Sequence, residues 1–448
     1  MYLLDNLTAV TMDAERRILR DAAIAIDGPE IVAVDESSAV KKRFPGTEIV
    51  DATGMTAIPG LIDTHAHADQ SLLRGLGDGM HWIPFIDDVV EPYLAKRDPA
   101  IGVLANTLSM IEMLRSGTTC FVSPNVDPRD DYALLADAIG KLGIRAVLGR
   151  YTMPDARPDS VSKARNAAKS ASRIMRDWHG SADGLVSMWF GLHVPRRAGD
   201  TDHPHFYEAV ANEAAALGVG ITYHFCSEIE DADYIVEHYG MRPAEWSRDN
   251  HALGDNVLLI NGCQMTDPEI GILADSGTHL AHSPVANMKM ATGILPLTRV
   301  LATNVNVSLG TDGALNNNSY DMFAEMKTAV LLQNAINRSA SAMTAATALE
   351  MATINGAKAI GRRDQLGSIE LGKQADIVLL DMRQAFTAPV HDVLSNIVFA
   401  ANRSTVDTVI IAGRKVVERG VVTGVDEASV IDEAKTRADE LRKLIIER

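Results

Sequence analysis

The sequence has few of the residues on which several common kinds of site depend. Its 448 residues include three cysteines, Cys120, Cys226 and Cys263. They are too few and too scattered for a disulfide framework or a cysteine-rich zinc site, so we read them as small buried apolar residues. Neither of the common glycine-rich phosphate-binding loops occurs, and nucleotide-driven chemistry therefore has no support.

Basic residues are scarce relative to acidic ones. The 42 lysines and arginines against 59 aspartates and glutamates give a formal net charge of −17. Such an acidic chain disfavours a nucleic-acid partner. The sequence also lacks a run of about 18 apolar residues, and its start, MYLLDNLTAV, lacks the features of a signal peptide. We expect a cytoplasmic protein that has no membrane partner and acts on a small molecule.

Short strand-like runs occur at both ends of the chain. They are Ala23–Ile26, Ile31–Val34, Thr56–Ile58, Asp376–Asp381 and Val406–Val417. A periodic, charged stretch from residue 427 to residue 448 predicts a terminal helix. Because both ends are rich in strands, we expect them to meet as one small β domain.

A different pattern fills the middle of the chain, where apolar strand-like runs alternate with helical segments. The runs are 118–122, 145–148, 186–192, 218–223, 257–260, 278–281 and 305–309. This alternation over roughly 300 residues predicts an α/β fold, and its repetition favours a closed (β/α)8 TIM-type barrel over an open sheet. We place the barrel at residues 59–365, the β domain at 1–58 and 366–422, and the terminal helix at 423–448.

The clearest local feature is the run Pro59-Gly-Leu-Ile-Asp-Thr-His65-Ala-His67. Histidines at i and i+2 in a strand project from one face, so both imidazoles can bind one ion. His224 and Asp312 also end predicted strands, at the end of a β/α barrel that carries its chemistry. Taken singly, His224 is better explained as a packing histidine and Asp312 as a turn-forming aspartate. Together they suit one zinc, iron or manganese ion with an open position for water, whose proton Asp312 can accept.

Four longer segments carry a family resemblance. They are PGLIDTHAH from Pro59, HSPVANMKMATG from His282, LGTDGALNNNSYDMF from Leu309 and GSIELGKQADIVLLD from Gly367. Together they resemble the amidohydrolase superfamily, and within it the branch of guanine and methylthioadenosine/S-adenosylhomocysteine deaminases and triazine hydrolases. The resemblance extends from about residue 1 to 422.

This resemblance implies a β/α barrel, a composite β-sandwich built from both termini, and a homo-oligomer. It also implies one divalent metal ion at the positions of His65, His67, His224 and Asp312, with zinc expected and iron or manganese as alternatives. Binuclear relatives use a carboxylated lysine at the end of the fourth strand. The matching segment here, Met188–Pro195, contains no lysine, which favours a single ion.

Two positions depart from the deaminases of that branch. In those enzymes a glutamate that protonates the substrate lies three residues after the fifth-strand histidine. Here that position is Ser227, and Glu228 follows one residue later, so a local bulge is needed to bring Glu228 to the substrate. The sixth strand of those relatives ends in a histidine that polarises the bond under attack, and Gly262 occupies its position here. Both changes affect proton delivery and charge stabilisation.

Several side chains are candidates to replace these functions. Asn261 can hydrogen-bond a developing oxyanion. His193 and His282 lie near predicted strand ends, where each either faces the substrate or is a packing imidazole. A nucleophilic Cys263 is disfavoured because the sequence offers it no evident activating base.

The loop after the histidine pair forms one wall of the substrate pocket in the relatives. Gln70 and Trp82 on this loop are therefore expected to contact the substrate, although Trp82 is read equally well as a buried structural residue.

Three functions remain open from the sequence. The favoured one is an aminohydrolase that attacks a non-peptide C–N bond of a small N-heterocycle with a metal-activated water. The second is a urea, carbamate or amide hydrolase with a different proton-transfer scheme. The third is a catalytically weak metal- or ligand-binding homologue, and retention of all four predicted ligands argues against it.

Overall fold

Eight parallel strands form the inner sheet of the protein, in a computed structural model that describes residues 1–153, 161–197 and 204–446. In chain order the strands are Leu61–Asp63, Thr118–Val126, Arg145–Thr152, Val186–Leu192, Ile221–Phe225, Val257–Asn261, His279–His282 and Asn306–Leu309. Each is paired in parallel with its neighbours in this order. We number them as barrel strands one to eight.

Hydrogen bonds between the first and last strands close the sheet. The Thr64 N–H donates to the Leu309 carbonyl at 3.0 Å, and the Asp312 N–H donates to the His65 carbonyl at 2.8 Å. Short strands Ala66–His67 and Asp312–Gly313 continue this pairing beyond the barrel strands. The prediction of a β/α barrel is confirmed.

Helices cover the outside of the barrel and the chain ends. The α-helices are Ser37–Arg43, Trp82–Phe85, Glu91–Lys96, Pro99–Arg115, Tyr132–Leu142, Val161–Trp178, Ser181–Gly184, Pro204–Leu217, Ile229–Tyr239, Pro243–Asp249, Asp267–Ser276, Pro284–Lys289, Leu297–Leu301, Met322–Ile336, Ala345–Ala352, Ile354–Ala359, Val393–Ser395 and Glu427–Ile446. Short 3₁₀ or π turns lie at Ala68–Leu73, Ile86–Val90, Asn396–Ala400 and Arg403–Thr405. In the described part of the chain, no helix has the length and apolarity needed to cross a membrane.

Local sequence explains where these elements begin and end. The helix Tyr132–Leu142 starts where the Asp131 carboxylate accepts the N–H groups of the first turn, and it ends at Gly143, whose φ of +73° suits glycine. The sixth barrel strand, VLLIN, is buried at every residue. An uninterrupted apolar run of this kind is typical of a parallel strand covered on both faces.

A second sheet combines strands from both ends of the chain, as the sequence predicted. Its strands are Tyr2–Val10, Ile18–Asp27, Glu30–Glu36, Glu48–Asp51, Met55–Pro59, Ile377–Asp381, Val406–Ile411, Arg414–Glu418 and Val421–Val422. The two ends meet where Met55–Pro59 pairs antiparallel with Ile377–Asp381. Since Met55–Pro59 leads directly into the first barrel strand, this pairing fixes the approach to the histidine pair.

A buried ion pair joins this second sheet to the barrel. Arg145, at the start of the third barrel strand, donates to both carboxylate oxygens of Asp376, at 2.7 and 3.0 Å. The two side chains are 5% and 4% exposed. Asp376 also accepts the Ala412 N–H at 2.9 Å, so one carboxylate connects three segments.

Replacing Asp376 with alanine is expected to lower the free energy of unfolding by about 3–5 kcal/mol, because it leaves the Arg145 charge buried and unpaired. The change is measured as a shift in the midpoint of urea unfolding. Asp432, which is 80% exposed and pairs with Lys435, is the matched control, and its alanine variant is expected to lose less than about 1 kcal/mol. Equal losses in the two variants would show that Asp376 does not join the two sheets as described.

Candidate metal centre

The barrel brings the four predicted ligands together at the carboxyl ends of its strands. His65 and His67 follow the first barrel strand, and His224 lies near the end of the fifth. Asp312 follows the eighth strand and pairs with Ala66 across the closing edge of the barrel. Residues that are about 250 positions apart in sequence thus become neighbours because the first and last strands are adjacent.

The distances between these side chains fit one metal ion. Asp312 Oδ1 lies 3.3 Å from His65 Nε2 and 3.6 Å from His67 Nε2, and the Nε2 atoms of His67 and His224 are 3.3 Å apart. The three imidazoles form a group that can hold a metal ion. Donor atoms about 2.0–2.1 Å from a tetrahedral ion are roughly 3.3 Å from one another. The set therefore has the spacing of one coordination shell.

The protonation states of these groups also suit a cation. Burial lowers the pKa of His67 to about 4 and the pKa of His224 well below its usual value, so both rings are neutral near pH 7 and can act as ligands. Burial alone would raise the pKa of Asp312, but the neighbouring His65 imidazole lowers it. The buried Nε2 of His65 makes no hydrogen bond within the described structure. An ion satisfies all four groups at once.

A buried aspartate that the sequence analysis did not single out supports the ligands. Asp63 accepts hydrogen bonds from the His65 N–H at 3.2 Å and from the Thr311 N–H at 3.0 Å. Thr311 Oγ1 donates to its second oxygen at 2.5 Å. Asp63 therefore ties the loop of His65 to the loop of Asp312. Its place in the PGLIDTHAH segment, two residues before His65, was the signal available.

Glycine is needed where these two loops approach each other. A Cβ at Gly310 would lie 2.6 Å from the His65 Cβ and 2.8 Å from its backbone nitrogen. Asp312 itself has a φ of +64°, which is uncommon outside glycine. Its carboxylate accepts the Gly313 N–H at 2.8 Å and the Asn316 side-chain amide at 3.1 Å. The aspartate is thus held in a strained but well-supported conformation.

Glu228 lies at the start of the helix Ile229–Tyr239, directly after the fifth barrel strand. Cys226, between that strand and Glu228, has a φ of +48°, so the chain turns sharply where the sequence analysis required a local bulge. Burial raises the pKa of Glu228 to about 8, although the positive charge of Arg196 opposes this. A carboxyl group with such a pKa is protonated at neutral pH and can donate a proton.

Two apolar side chains lie beside Gly262, the position at which the sequence analysis noted the absent histidine. A Cβ at Gly262 would lie 2.9 Å from the Met265 Cε and 3.3 Å from the Leu280 Cδ1, and the φ of Gly262 is +75°. A histidine would therefore strain the backbone, and the flexible end of the Met265 side chain would have to move aside. The space beside Gly262 is apolar in the present arrangement.

Asn261 lies beside Gly262, and both the nitrogen and the oxygen of its side-chain amide make hydrogen bonds. Its Nδ2 donates to Ser227 Oγ at 2.9 Å, and its Oδ1 accepts from Asn287 Nδ2 at 3.0 Å. One of its two N–H groups is not used by these bonds. Ser227, which occupies the position of the deaminase glutamate, thus serves to hold Asn261.

Gln70 and Trp82 both lie on the loop after the histidine pair, but their surroundings differ. Gln70 packs against Gly313, where a Cβ would lie 2.4 Å from the Gln70 Oε1, so this amide lies beside the metal ligands. Trp82 is 7% exposed. The Arg196 guanidinium carbon lies over its indole ring, 5.0 Å from the centroid, so one indole face is already occupied.

The remaining candidates lie at the ends of other barrel strands. His193 follows the fourth strand and makes an edge-on contact with Tyr151, at 6.3 Å between ring centroids. His282 ends the seventh strand, where burial lowers its pKa to about 3, and its ring nitrogens have no hydrogen-bond partner among the described residues. Burial raises the pKa of the Cys263 thiol to about 12, which supports the reading of Cys263 as an unreactive residue.

The fold and this centre define a metal-dependent hydrolase built on a β/α barrel. The model of the amidohydrolase family matches residues 56–416, and the chain belongs to this family. It is an enzyme that hydrolyses carbon–nitrogen bonds other than peptide bonds in small molecules.

Three known proteins illustrate the similarity. The chain is 34% identical to a 5-methylthioadenosine/S-adenosylhomocysteine deaminase of Pelotomaculum thermopropionicum, over 97% of this chain and 98% of that protein. It is 32% identical to a 5'-deoxyadenosine deaminase of Methanosarcina acetivorans, over 98% of each chain. It is also similar to the crystal structure of an adenosine deaminase from Xanthomonas campestris with bound zinc, with a TM-score of 0.90 and 30% identity over 99% of this chain and 98% of that chain.

Proposed function

We propose that this enzyme is an aminohydrolase that removes the exocyclic amine of a 6-aminopurine nucleoside, replaces it with oxygen and releases ammonia. The observation that carries the proposal is the pairing of the His65, His67, His224 and Asp312 cluster with a neighbouring carboxyl group, Glu228, whose pKa is raised to about 8. The names of the three similar proteins support a purine nucleoside as the substrate class.

We propose that one zinc ion per chain binds to these four residues. Zinc is favoured because the similar crystal structure contains it and because three imidazoles and one carboxylate suit it. A bound divalent ion supplies Lewis acidity, which lowers the pKa of water towards about 7.

Asp312 and Glu228 carry out different proton transfers. Asp312 accepts the proton of the attacking water, because its low pKa keeps it a carboxylate. Glu228 donates a proton to the ring nitrogen as the new C–O bond forms. The proton on Asp312 then passes to the exocyclic nitrogen, the C–N bond breaks and ammonia leaves, while the hydroxyl proton passes to Glu228 as the C=O bond forms. Asn261 and His282 are the candidates to stabilise charge where relatives have a histidine, and Gln70, Trp82 and His193 are the candidates to contact the heterocycle.

The apolar surroundings of Gly262 favour a second candidate function. Hydrolysis of a urea, carbamate or amide does not pass through an aromatic heterocycle, so the absent polarising histidine matters less there. Met265 and Leu280 would then simply line an apolar wall.

A substrate panel separates the two functions. Ammonia release is measured with adenosine, 5'-deoxyadenosine, 5'-methylthioadenosine, S-adenosylhomocysteine, aminopyrimidines and aminotriazines, and product formation from ureas and carbamates is measured in parallel. The His67→Ala variant is the control for contaminating activity. We expect ammonia release from the aminopurine nucleosides. Turnover confined to ureas or carbamates would refute the aminohydrolase proposal.

We further propose that the enzyme is a homo-oligomer and acts in the cytoplasm without a nucleic-acid or membrane partner. Support comes from the oligomers common in this superfamily and from the net charge of −17. Light scattering of the purified protein tests the oligomeric state.

A further inference from the structure

Arg196 lies in the segment after the fourth barrel strand and contacts two acidic side chains beside the metal centre. Its Nη2 donates to Glu228 Oε2 at 2.6 Å, and its Nε and Nη2 donate to the two oxygens of Asp231 at 2.9 and 2.8 Å. The bond to Asp231 is bidentate, a geometry that fixes the guanidinium plane. The side chains of Arg196, Glu228 and Asp231 are only 18%, 13% and 4% exposed.

The backbone of Glu228 is fixed by the same group. Asp231 Oδ2 accepts the N–H of Ser227 at 3.1 Å and the N–H of Glu228 at 3.3 Å. Asp231 therefore caps the helix Ile229–Tyr239 and at the same time binds Arg196. As a result, the main chain and the side chain of Glu228 depend on one hydrogen-bonded unit.

Trp82 supports the guanidinium from another part of the chain. The Arg196 guanidinium carbon lies over the indole ring, 5.0 Å from its centroid, a distance at which a cation and an aromatic face attract each other. Trp82 is buried, so the ring is itself fixed. Three separate segments, those of Trp82, Arg196 and Glu228, thus meet at this point.

Arg196 and Glu228 are close enough to the metal ligands to interact with them electrostatically. Arg196 interacts with His224, and Glu228 interacts with Asp312. Glu228 follows the sharp turn at Cys226, whose φ is +48°, so its carboxyl group needs support from other segments. Arg196 and Asp231 provide that support.

We propose that Arg196 and Asp231 are positioning residues that hold Glu228 in the orientation from which it donates its proton. The proposal rests on the proposed function of Glu228 as proton donor. It assigns proton delivery to a unit of three residues, Arg196, Glu228 and Asp231. Arg196 acts through Glu228 and has no direct part in bond breaking.

A double-mutant cycle on the best substrate of the panel tests this assignment. Glu228→Gln, Arg196→Gln and the double variant are compared by kcat and KM. We expect Arg196→Gln to lower kcat about 10- to 100-fold with little change in KM, the range typical for loss of a group that orients a site residue. Because Arg196 acts through Glu228, the double variant should be no slower than Glu228→Gln alone.

Two further variants distinguish positioning from a general structural role. Arg197→Gln is the matched control, because Arg197 is the next residue and pairs with the exposed carboxylates of Asp87 and Glu91; it should keep the wild-type kcat. Added guanidinium chloride should restore part of the kcat of Arg196→Ala, and it should leave Glu228→Gln unchanged. If Arg196→Gln fails to fold, Arg196→Lys replaces it in the cycle.

The results separate the role of Glu228 as proton donor from the role of Arg196 as its positioning residue. If Glu228→Gln keeps full activity, the proposed role of Glu228 as proton donor is wrong and the positioning proposal falls with it. If Glu228→Gln is slow but Arg196→Gln matches Arg197→Gln, or if the two losses multiply in the double variant, only the positioning proposal is overturned.

Discussion

Replacing Asp312 with asparagine is expected to lower kcat by about 10²- to 10⁴-fold, the usual contribution of a general base. The amide cannot accept the proton of the attacking water. It can still accept the hydrogen bonds from the Gly313 N–H and the Asn316 amide, so the loop should keep its conformation. The loss should therefore lie in the chemical step and not in folding.

The measurement is kcat together with the metal content of the same preparation. Three histidines remain in the variant, so the metal content is expected to fall less than the activity does. The control is Asp267→Asn, since Asp267 is 70% exposed and pairs only with Arg299 among the described salt bridges. A fully active Asp312→Asn enzyme that still contains metal would rule out Asp312 as the proton acceptor.

Replacing Glu228 with glutamine is expected to cost about 10²- to 10⁴-fold in kcat for an amine substrate. Glutamine is similar in size to the protonated glutamic acid but has no proton to transfer. A 6-chloropurine nucleoside should lose a similar factor, because attack on its ring also requires a proton on the ring nitrogen, whereas the departure of chloride requires none. The ratio of the two losses therefore shows whether Glu228 protonates the ring or the leaving group.

The matched control for this variant is Glu230→Gln. Glu230 lies on the same helix, is 41% exposed and contacts His81 at 3.2 Å. Its glutamine variant should retain wild-type kcat with both substrates. A loss confined to the amine substrate in Glu228→Gln would indicate that Glu228 protonates the leaving group instead of the ring nitrogen.

Much of this fold is predictable from local sequence patterns. Buried parallel strands such as Val257–Asn261 are uninterrupted apolar runs, and their alternation with helices is a repeating signal over most of the chain. The four ligand positions are predictable for a related reason. In a barrel, the carboxyl ends of all strands meet at one face, so polar residues at strand ends such as His224 and Asp312 must be near one another.

The contacts that hold Glu228 in place cannot be predicted from such local patterns. Arg196 and Glu228 are separated by a helix and a strand, and their contact depends on how the segments after the fourth and fifth strands pass each other. Periodicity carries no information about that packing. The methionine beside Gly262 is a similar case, since its contact depends on the turn that connects the two residues. Residues 154–160, 198–203 and 447–448 lie outside the described part of the chain; they carry no predicted site residue, and 447–448 belong to the predicted terminal helix.

The metal centre is tested by the metal content of the purified enzyme, measured by elemental analysis before and after chelation, with activity assayed on the same samples. We predict about one divalent ion per chain, lost together with activity on chelation and restored with it when zinc is added back. The His67→Ala variant should bind no stoichiometric metal and show no turnover. A metal-free enzyme with full activity, or an active His67→Ala variant, would show that the enzyme does not act through this metal centre.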